Sequence, residues 1–330
     1  MNRHQYSDFR RRLKHTAAVC LSAFALVSAM PAVAQNFPAR PVRMIVPNGP
    51  GSPTDLVARL LGGKLGEAWG QPVIAENRPG ATGLIGAEAL AKLPADGHAM
   101  ILMAMTQLIG TLMYQRYQLA TEFAAVTMVG STPFAIAVPS ALPVKNIAEW
   151  VAYVKARPGQ LMYSSSGQWG SSHLCIEAFN ELAGLKMNHV PHPTSPAAMN
   201  AVVAEQVVAY CPAGPTVHTF VQSGRIRPLG ITYTKPTRLM PGVAPISDTV
   251  PGYELLGWYG LQMHLKTPPE LINKVNADSV RALHLPDIQE KLFGLGVEAV
   301  GNSPAEFSAF LRKEQDRWSK LLKDRGAKPE

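Results

Sequence analysis

From Pro41 onward, short apolar runs alternate with segments whose apolar residues recur every three or four positions, which predicts strands alternating with helices. Residues 42–46 read as a strand, and Val57, Leu60, Leu61, Leu65 and Trp69 then lie on one face of a helix. That helix has its start written in the sequence: Ser52 as N-cap, Pro53 at the first helical position and Asp55 three residues after the cap. A strand at 73–75, an Ala- and Leu-rich helix over 84–93 and the apolar run 100–105 complete three strands of a doubly wound unit.

The stretch 126–138 carries two strand-like runs broken by Ser131-Thr132-Pro133, a helix over 146–157 ends at Pro158-Gly159, and the alternation then restarts. The restart predicts a second lobe: strand 161–164, helix 172–183, strand 187–190, a helix through Met199, strand 207–211 and a return strand 226–232. A Pro-rich passage over 236–251 leads to a strand near 257–263 and two or three helices. The last of these opens with the capping box Ser303, Pro304, Glu306 and sets Phe307, Phe310, Leu311, Trp318 and Leu321 on one side. Lacking a strand set of their own, these late elements are expected to pack on the first lobe. The fold class expected is α/β with two lobes, each a mostly parallel sheet flanked by helices: lobe 1 over 35–132 with 234–330, and lobe 2 over 133–233.

The first residues follow a different rule. Arg3, Arg10, Arg11, Arg12 and Lys14 precede an uncharged stretch over 16–30, and Ala32-Val33-Ala34 then presents small residues at signal-peptidase spacing. Residues 1–34 are therefore expected to be a cleaved signal peptide, with cleavage after Ala34 and export to the periplasm by the general secretory route. The uncharged run is shorter than the roughly 20 residues of a spanning helix. Cys20 lacks the small neighbours of a lipoprotein site and leaves with the signal.

Removing that segment changes the charge argument. It holds five of the 31 Lys+Arg and one of the 23 Asp+Glu, so a formal +8 becomes +4, with the basic residues scattered singly. That pattern is a solvated surface rather than a nucleic-acid footprint, and no nucleic-acid partner is expected. Cys175 and Cys211 remain. An oxidising compartment permits a bridge between them, but an apolar helix face and an apolar strand suit buried free thiols equally, and the sequence leaves the two open.

Candidate chemistry gathers at two loops of the same build. Pro47-Asn48-Gly49-Pro50-Gly51-Ser52-Pro53-Thr54-Asp55 follows a strand and opens a helix, so unpaired N–H groups and a positive dipole end face the loop and favour a carboxylate or phosphate. Taken alone, it reads equally as a tight turn that binds nothing. Ser164-Ser165-Ser166-Gly167-Gln168-Trp169-Gly170-Ser171-Ser172-His173 repeats the build, and two such loops facing across a cleft would clamp one anion on lobe closure. Other motifs fall short. The glycines of 76–86 lack Gly-x-Gly-x-x-Gly spacing and a phosphate-loop lysine, and serve instead a sharp turn and close helix packing. His189 and His192 are interrupted by Pro191 and Pro193, so no metal or cofactor is expected. An exported serine hydrolase, with Ser165 or Ser166 as nucleophile and His173 or His192 as base, is the sharper rival, but Gly-x-Ser-x-Gly is missing and loop serines at helix starts are more often caps.

The run from Pro38 through Leu102 resembles the Bug solute-binding proteins, the receptors of tripartite tricarboxylate transport systems. The resemblance is carried by Arg40-Pro41-Val42-Arg43, Thr54-Asp55, Ala58-Arg59, Gly70-Gln71-Pro72-Val73, Asp96-Gly97 and above all Glu76-Asn77-Arg78-Pro79-Gly80-Ala81. It continues in Ser166-Gly167, Gly170, His173, Val190-Pro191, Gly257-Trp258-Tyr259-Gly260-Leu261 and the helix with Trp318. The resemblance implies a two-lobed type II periplasmic receptor without catalysis, a monomer that hands a small organic carboxylate to membrane transporter subunits. A receptor that signals to a membrane sensor is the alternative. The resemblance implies a carboxylate site on the backbone of the two loops, at Gly49, Gly51, Ser52, Thr54, Ser165, Ser166, Gly167 and Gly170; Asn48, Thr106, Trp169, His192 and Tyr210 complete the candidate ligand-binding set.

Departures from the family pattern fall at Asn48, Ser52, Gln168-Trp169, His192-Pro193-Thr194, Glu205, Val208 and Pro212, the last standing where the family has an aspartate. Its loss disfavours an amino acid's ammonium group. Trp169, His192 and Tyr210 would then line a site for an aromatic or short aliphatic monocarboxylate, with simple packing over the loop as the other reading of Trp169.

Overall fold

The computed structural model describes residues 37–221 and 223–327; the predicted signal peptide, with Cys20, lies outside them. Along the chain the strands are β1 (Val42–Val46), β2 (Val73–Asn77), β3 (Ala99–Ala104), β4 (Phe123–Thr132), β5 (Ala135–Pro139), β6 (Met162–Ser165), β7 (Asn188–Pro191), β8 (Ala209–Tyr210), β9 (Ile226–Ile231), β10 (Gly257–His264) and β11 (Glu298–Ala299). The helices are α1 (Pro53–Trp69), α2 (Leu84–Ala91), α3 (Met105–Tyr114), α4 (Ile147–Lys155), α5 (Ser171–Ala183), α6 (Ser195–Val203), α7 (Gly214–Val221), α8 (Pro269–Leu283), α9 (Pro286–Gly294) and α10 (Pro304–Asp324).

The strands form two sheets, ordered β11-β4-β10-β3-β1-β2 and β7-β6-β8-β5-β9. Each is mixed. In the first, β1 pairs in parallel with β2 and β3, while β10 runs antiparallel to β3 and β4, and β11 antiparallel to β4. In the second, β6 pairs in parallel with β7 and β8, and β5 runs antiparallel to β8 and β9. The strands that carry the chain between sheets sit in antiparallel pairs, β4 with β10 and β5 with β9: β4 leads to β5 across only Pro133 and Phe134, and β9 leads back toward β10. The two passages are tied where Phe134 N–H donates to Thr232 Oγ1 at 2.9 Å and Thr232 N–H to Phe134 O at 2.9 Å.

Burial follows the sequence pattern. Val42, Met44, Ile45 and Val46 of β1 are fully buried, as a central parallel strand covered on both faces requires. α1 lays Val57, Ala58, Leu61 and Leu65 against the sheet, and Ser52 Oγ accepts the Asp55 N–H at 3.2 Å. At the far end of the chain, α10 buries Phe307, Leu311, Trp318 and Leu321, and Trp258 of β10 meets Phe307 and Phe310 edge-on at 5.9 and 6.0 Å. Each such large side chain contributes roughly 1.5–3 kcal/mol through burial, so the late helices are fastened to the first sheet. Among the described residues, no helix is long and apolar enough to cross a membrane.

The open question of the cysteines resolves as a disulfide. Cys175 of α5 and Cys211, just past β8, are bonded with Cα atoms 6.2 Å apart, and both are fully buried. Tyr253, on the return passage, donates its hydroxyl to Cys175 O at 2.9 Å.

Candidate ligand-binding site

A cavity of about 300 Å³ lies between the two sheets. Five helices begin on its wall. α1 contributes Ser52, Pro53 and Thr54, α3 contributes Ala104, Met105 and Thr106, and from the other side α5 brings Ser171 and Ser172, α6 Ser195, and α7 Ala213 and Thr216. A helix start leaves N–H groups without intrahelical acceptors and adds the positive end of the macrodipole. In α1, Ser52 N–H goes to Gly49 O, Gly51 N–H to Asp55 and Asp55 N–H to Ser52 Oγ, so Thr54 keeps a donor for a ligand. In α5 the N-cap Gly170 has no side chain to cap with, leaving the first-turn donors to the cavity.

Among the described residues, none of the lining side chains is charged. The charged residues near the first loop are spent on holding it. Asp55 is buried, and its carboxylate accepts from Gly51 N–H, Arg59 Nε and Asn77 Nδ2, each at 2.9 Å. Burial alone pushes the Asp55 pKa up, but the bonds from Arg59, Gly51 and Asn77 together hold it below the ordinary carboxylate range. Asn77 also donates to Asn48 O at 3.0 Å, and Gln107 Nε2 to Asn48 Oδ1 at 3.2 Å. The helix that follows β2 packs closely on the same loop: a Cβ on Gly86 of α2 would stand 2.8 Å from Pro47 Cβ.

Of the residues expected from the sequence, Asn48, Ser52, Thr54, Thr106, Ser166 and Tyr210 line the cavity. Gly49, Gly51, Gly167 and Gly170 shape the two loops behind it; Gly51 and Gly167 adopt φ of +76° and +126°, and Gly170 N–H donates to Gly167 O. Ser165 is fully buried, its Oγ 2.6 Å from His189 Nε2 and 2.9 Å from Gly167 O. Trp169 turns onto His173, ring centroids 4.9 Å apart, and His192 donates its N–H to Ser165 O at 2.9 Å; neither is among the lining residues.

Several lining residues were not anticipated. Ser171 and Ser172 lie within the second loop but were not singled out, and Ser172 Oγ accepts the Ser166 N–H at 3.0 Å. Ser195 follows the N-cap Thr194, and the sequence Thr194-Ser195-Pro196 was the available signal; its Oγ lies 2.7 Å from Tyr210 Oη. Thr132 and Tyr259 come from adjacent edges of β4 and β10. Among the described residues, Thr132 Oγ1 is buried without a hydrogen-bond partner, and burial pushes the Tyr259 phenol up to about 12, so it stays a neutral donor.

Two sheets joined by paired passages, with helix starts facing each other across a cleft, define a two-lobed solute-binding protein. The model of the tripartite tricarboxylate transporter family receptor matches residues 57–327, and the chain belongs to that family. It is 30% identical over 305 residues to BugT of Bordetella pertussis, covering 91% of this chain and 94% of that one. Among solved structures it is similar to Rpa4515 of R. palustris with adipate, at TM-score 0.73 and 30% identity, over 88% of this chain and 98% of that one. It is also similar to MatC of Rhodopseudomonas palustris with bound malate, at TM-score 0.70 and 26% identity, over 87% and 100%.

Proposed function

We propose that this protein is a periplasmic receptor that captures a small organic carboxylate between its lobes and delivers it to membrane subunits of a tripartite tricarboxylate transporter, without chemistry of its own. The lobes are residues 35–132 with 234–330, and 133–233, and residues 1–34 direct export. The observation that carries this reading is the convergence of five helix starts on one cavity, with no charged side chain in its wall among the described residues. Such a site supplies backbone and hydroxyl donors to an anion, and it offers an ammonium group no carboxylate to pair with. The adipate and malate in the two relatives agree with that chemistry.

A loop-serine hydrolase is poorly served by the same residues. Ser165 meets His189 but has no exposed surface from which to reach a substrate, Ser166 Oγ pairs with Ser172 Oγ at 3.1 Å, and His173 Nδ1 is occupied by the Trp169 N–H.

The test is a thermal-shift screen on protein purified from the periplasmic fraction and stripped by partial unfolding and refolding. The panel holds mono-, di- and tricarboxylates, aromatic acids and amino acids. A ligand at about 100 times its dissociation constant adds roughly 2.7 kcal/mol and raises the midpoint by several degrees. A shift confined to carboxylates without an ammonium group is the expected result. Selective shifts by amino acids, or silence across all acids from well-folded protein, would overturn the reading.

A further inference from the structure

The segment from Ser165 to Gly170 carries Ser166 to the cavity and sets the start of α5, and two of its residues hold uncommon backbone angles. Gly167 and Trp169 both have positive φ, and the Trp169 value of +57° lies where a bulky side chain is rarely found without external restraint. Both ends of the segment are held by histidine rings. Ser165 Oγ lies 2.6 Å from His189 Nε2, and Trp169 N–H donates to His173 Nδ1 at 2.9 Å. The two rings stack on each other with centroids 3.8 Å apart and planes 11° from parallel. Tyr163 lies beside both rings, 5.1 Å from His189 and 6.0 Å from His173, and Trp169 packs on His173.

We propose that His173 and His189 are positioning residues: a stacked, uncharged imidazole pair that clamps both ends of the 165–170 loop and so presents the donors of α5 to the ligand. The proposal rests on the carboxylate-receptor reading above. Its geometry dictates protonation states. A ring nitrogen that accepts the Trp169 N–H carries no proton, so neutral His173 holds its hydrogen on Nε2. The single Ser165 hydroxyl hydrogen goes to Gly167 O at 2.9 Å, and His189 Nε2–H supplies the bridge to Ser165.

A second proton on His173 would set two donors against each other and release Trp169. The surroundings keep it off. Tyr163 of β6 donates to Glu177 of α5, Glu177 pairs with Arg325 past α10 at 3.2 Å, and His192 follows β7. Burial, then His189 and Arg325, push His173 down to about 3; burial also lowers His189, against the opposing pull of Glu177.

The test uses the full chain and three readouts. Nitrogen-15 spectra of the imidazoles at pH 7 should show His173 Nδ1 without a proton, and a protonated Nδ1 would overturn the proposal whether or not any variant folds. Amide hydrogen exchange at Trp169 should accelerate at least tenfold in His173→Phe, which keeps a stacked ring but has no acceptor, and return toward wild type in His173→Asn, whose Oδ1 replaces Nδ1. Adipate affinity should follow the same order, with at least a tenfold loss in the Phe variant and recovery in the Asn variant. Unchanged exchange at Trp169 in His173→Phe would overturn the clamp, as would unchanged adipate affinity. If wild type binds no carboxylate, the receptor reading fails separately, while the spectra and the exchange rates still decide the clamp.

Discussion

Lowering the pH from 7 to 5 should destabilise this protein through His173, and His173→Asn should remove most of that contribution. In the unfolded chain the imidazole takes its proton near 6.5; in the folded protein burial beside His189 and Arg325 holds that step near 3. Above 6.5 both states are neutral and the group is indifferent to folding. As the pH falls below 6.5 the unfolded state binds a proton that the folded state refuses, so stability is lost steadily until the folded ring also titrates near 3. At pH 5 the gap is about 1.5 pH units below the unfolded value, which is about 2 kcal/mol at 1.36 kcal/mol per unit. For a protein of this size that corresponds to roughly 4–8 °C in midpoint. The assay is urea unfolding of wild type and His173→Asn at pH 7 and pH 5, read as the change in the difference between them. A difference that stays constant, or a His173 titration near 6.5 by NMR, would refute the reasoning.

Reduction of the Cys175–Cys211 bridge, or its replacement by Cys175→Ala with Cys211→Ala, should cost roughly 3–4 kcal/mol, from the loop entropy released across a sequence separation of 36; a denaturation midpoint insensitive to reductant would contradict this. Trp169→Ala should lower the stability of the unliganded protein by about 1–2 kcal/mol, since its ring packs on His173 rather than lining the cavity. An unchanged melting temperature with a large loss of carboxylate affinity would instead make the indole a ligand contact.

Much of the framework is legible in the sequence because local signals and burial agree. Ser52 and Ser303 cap helices where they were expected, and Asn146, read as the first residue of its helix, is its cap; each side-chain oxygen accepts an N–H of the first turn. α3 escaped detection for a physical reason. It starts directly from β3, so the apolar run passes from strand to helix without punctuation, and its N-cap is Ala104. The only capping signal is Gln107, whose Oε1 accepts the Ala104 N–H at 2.9 Å, half of a capping box with no first member. α7 was missed as well; it is a short helix behind Gly214-Pro215, a pair that reads as a turn. The expectation of mostly parallel sheets followed from the alternation of strands and helices, which does not reveal that β4, β5, β9 and β10 serve as the passages between sheets.

At the site, loop position was readable and side-chain direction was not. The sequence marks where 47–55 and 164–173 open helices, which identified Ser52, Thr54 and Ser166. Whether Trp169 faces a ligand or a histidine depends on its positive φ and on His173, itself stacked on His189, which β7 brings in beside β6. Thr132, Ser195, Thr216 and Tyr259 reach the cavity from separate stretches of chain, a convergence created only by tertiary folding.

The most direct test of the central claim is isothermal titration of the best carboxylate found by screening, beside its primary amide, which keeps the shape and carbonyl but not the charge. If helix starts hold an anion, charge-assisted bonds worth about 1.5–3 kcal/mol are weakened, and the amide should bind roughly 10- to 100-fold less tightly. An amide that binds as tightly as the acid would contradict the account.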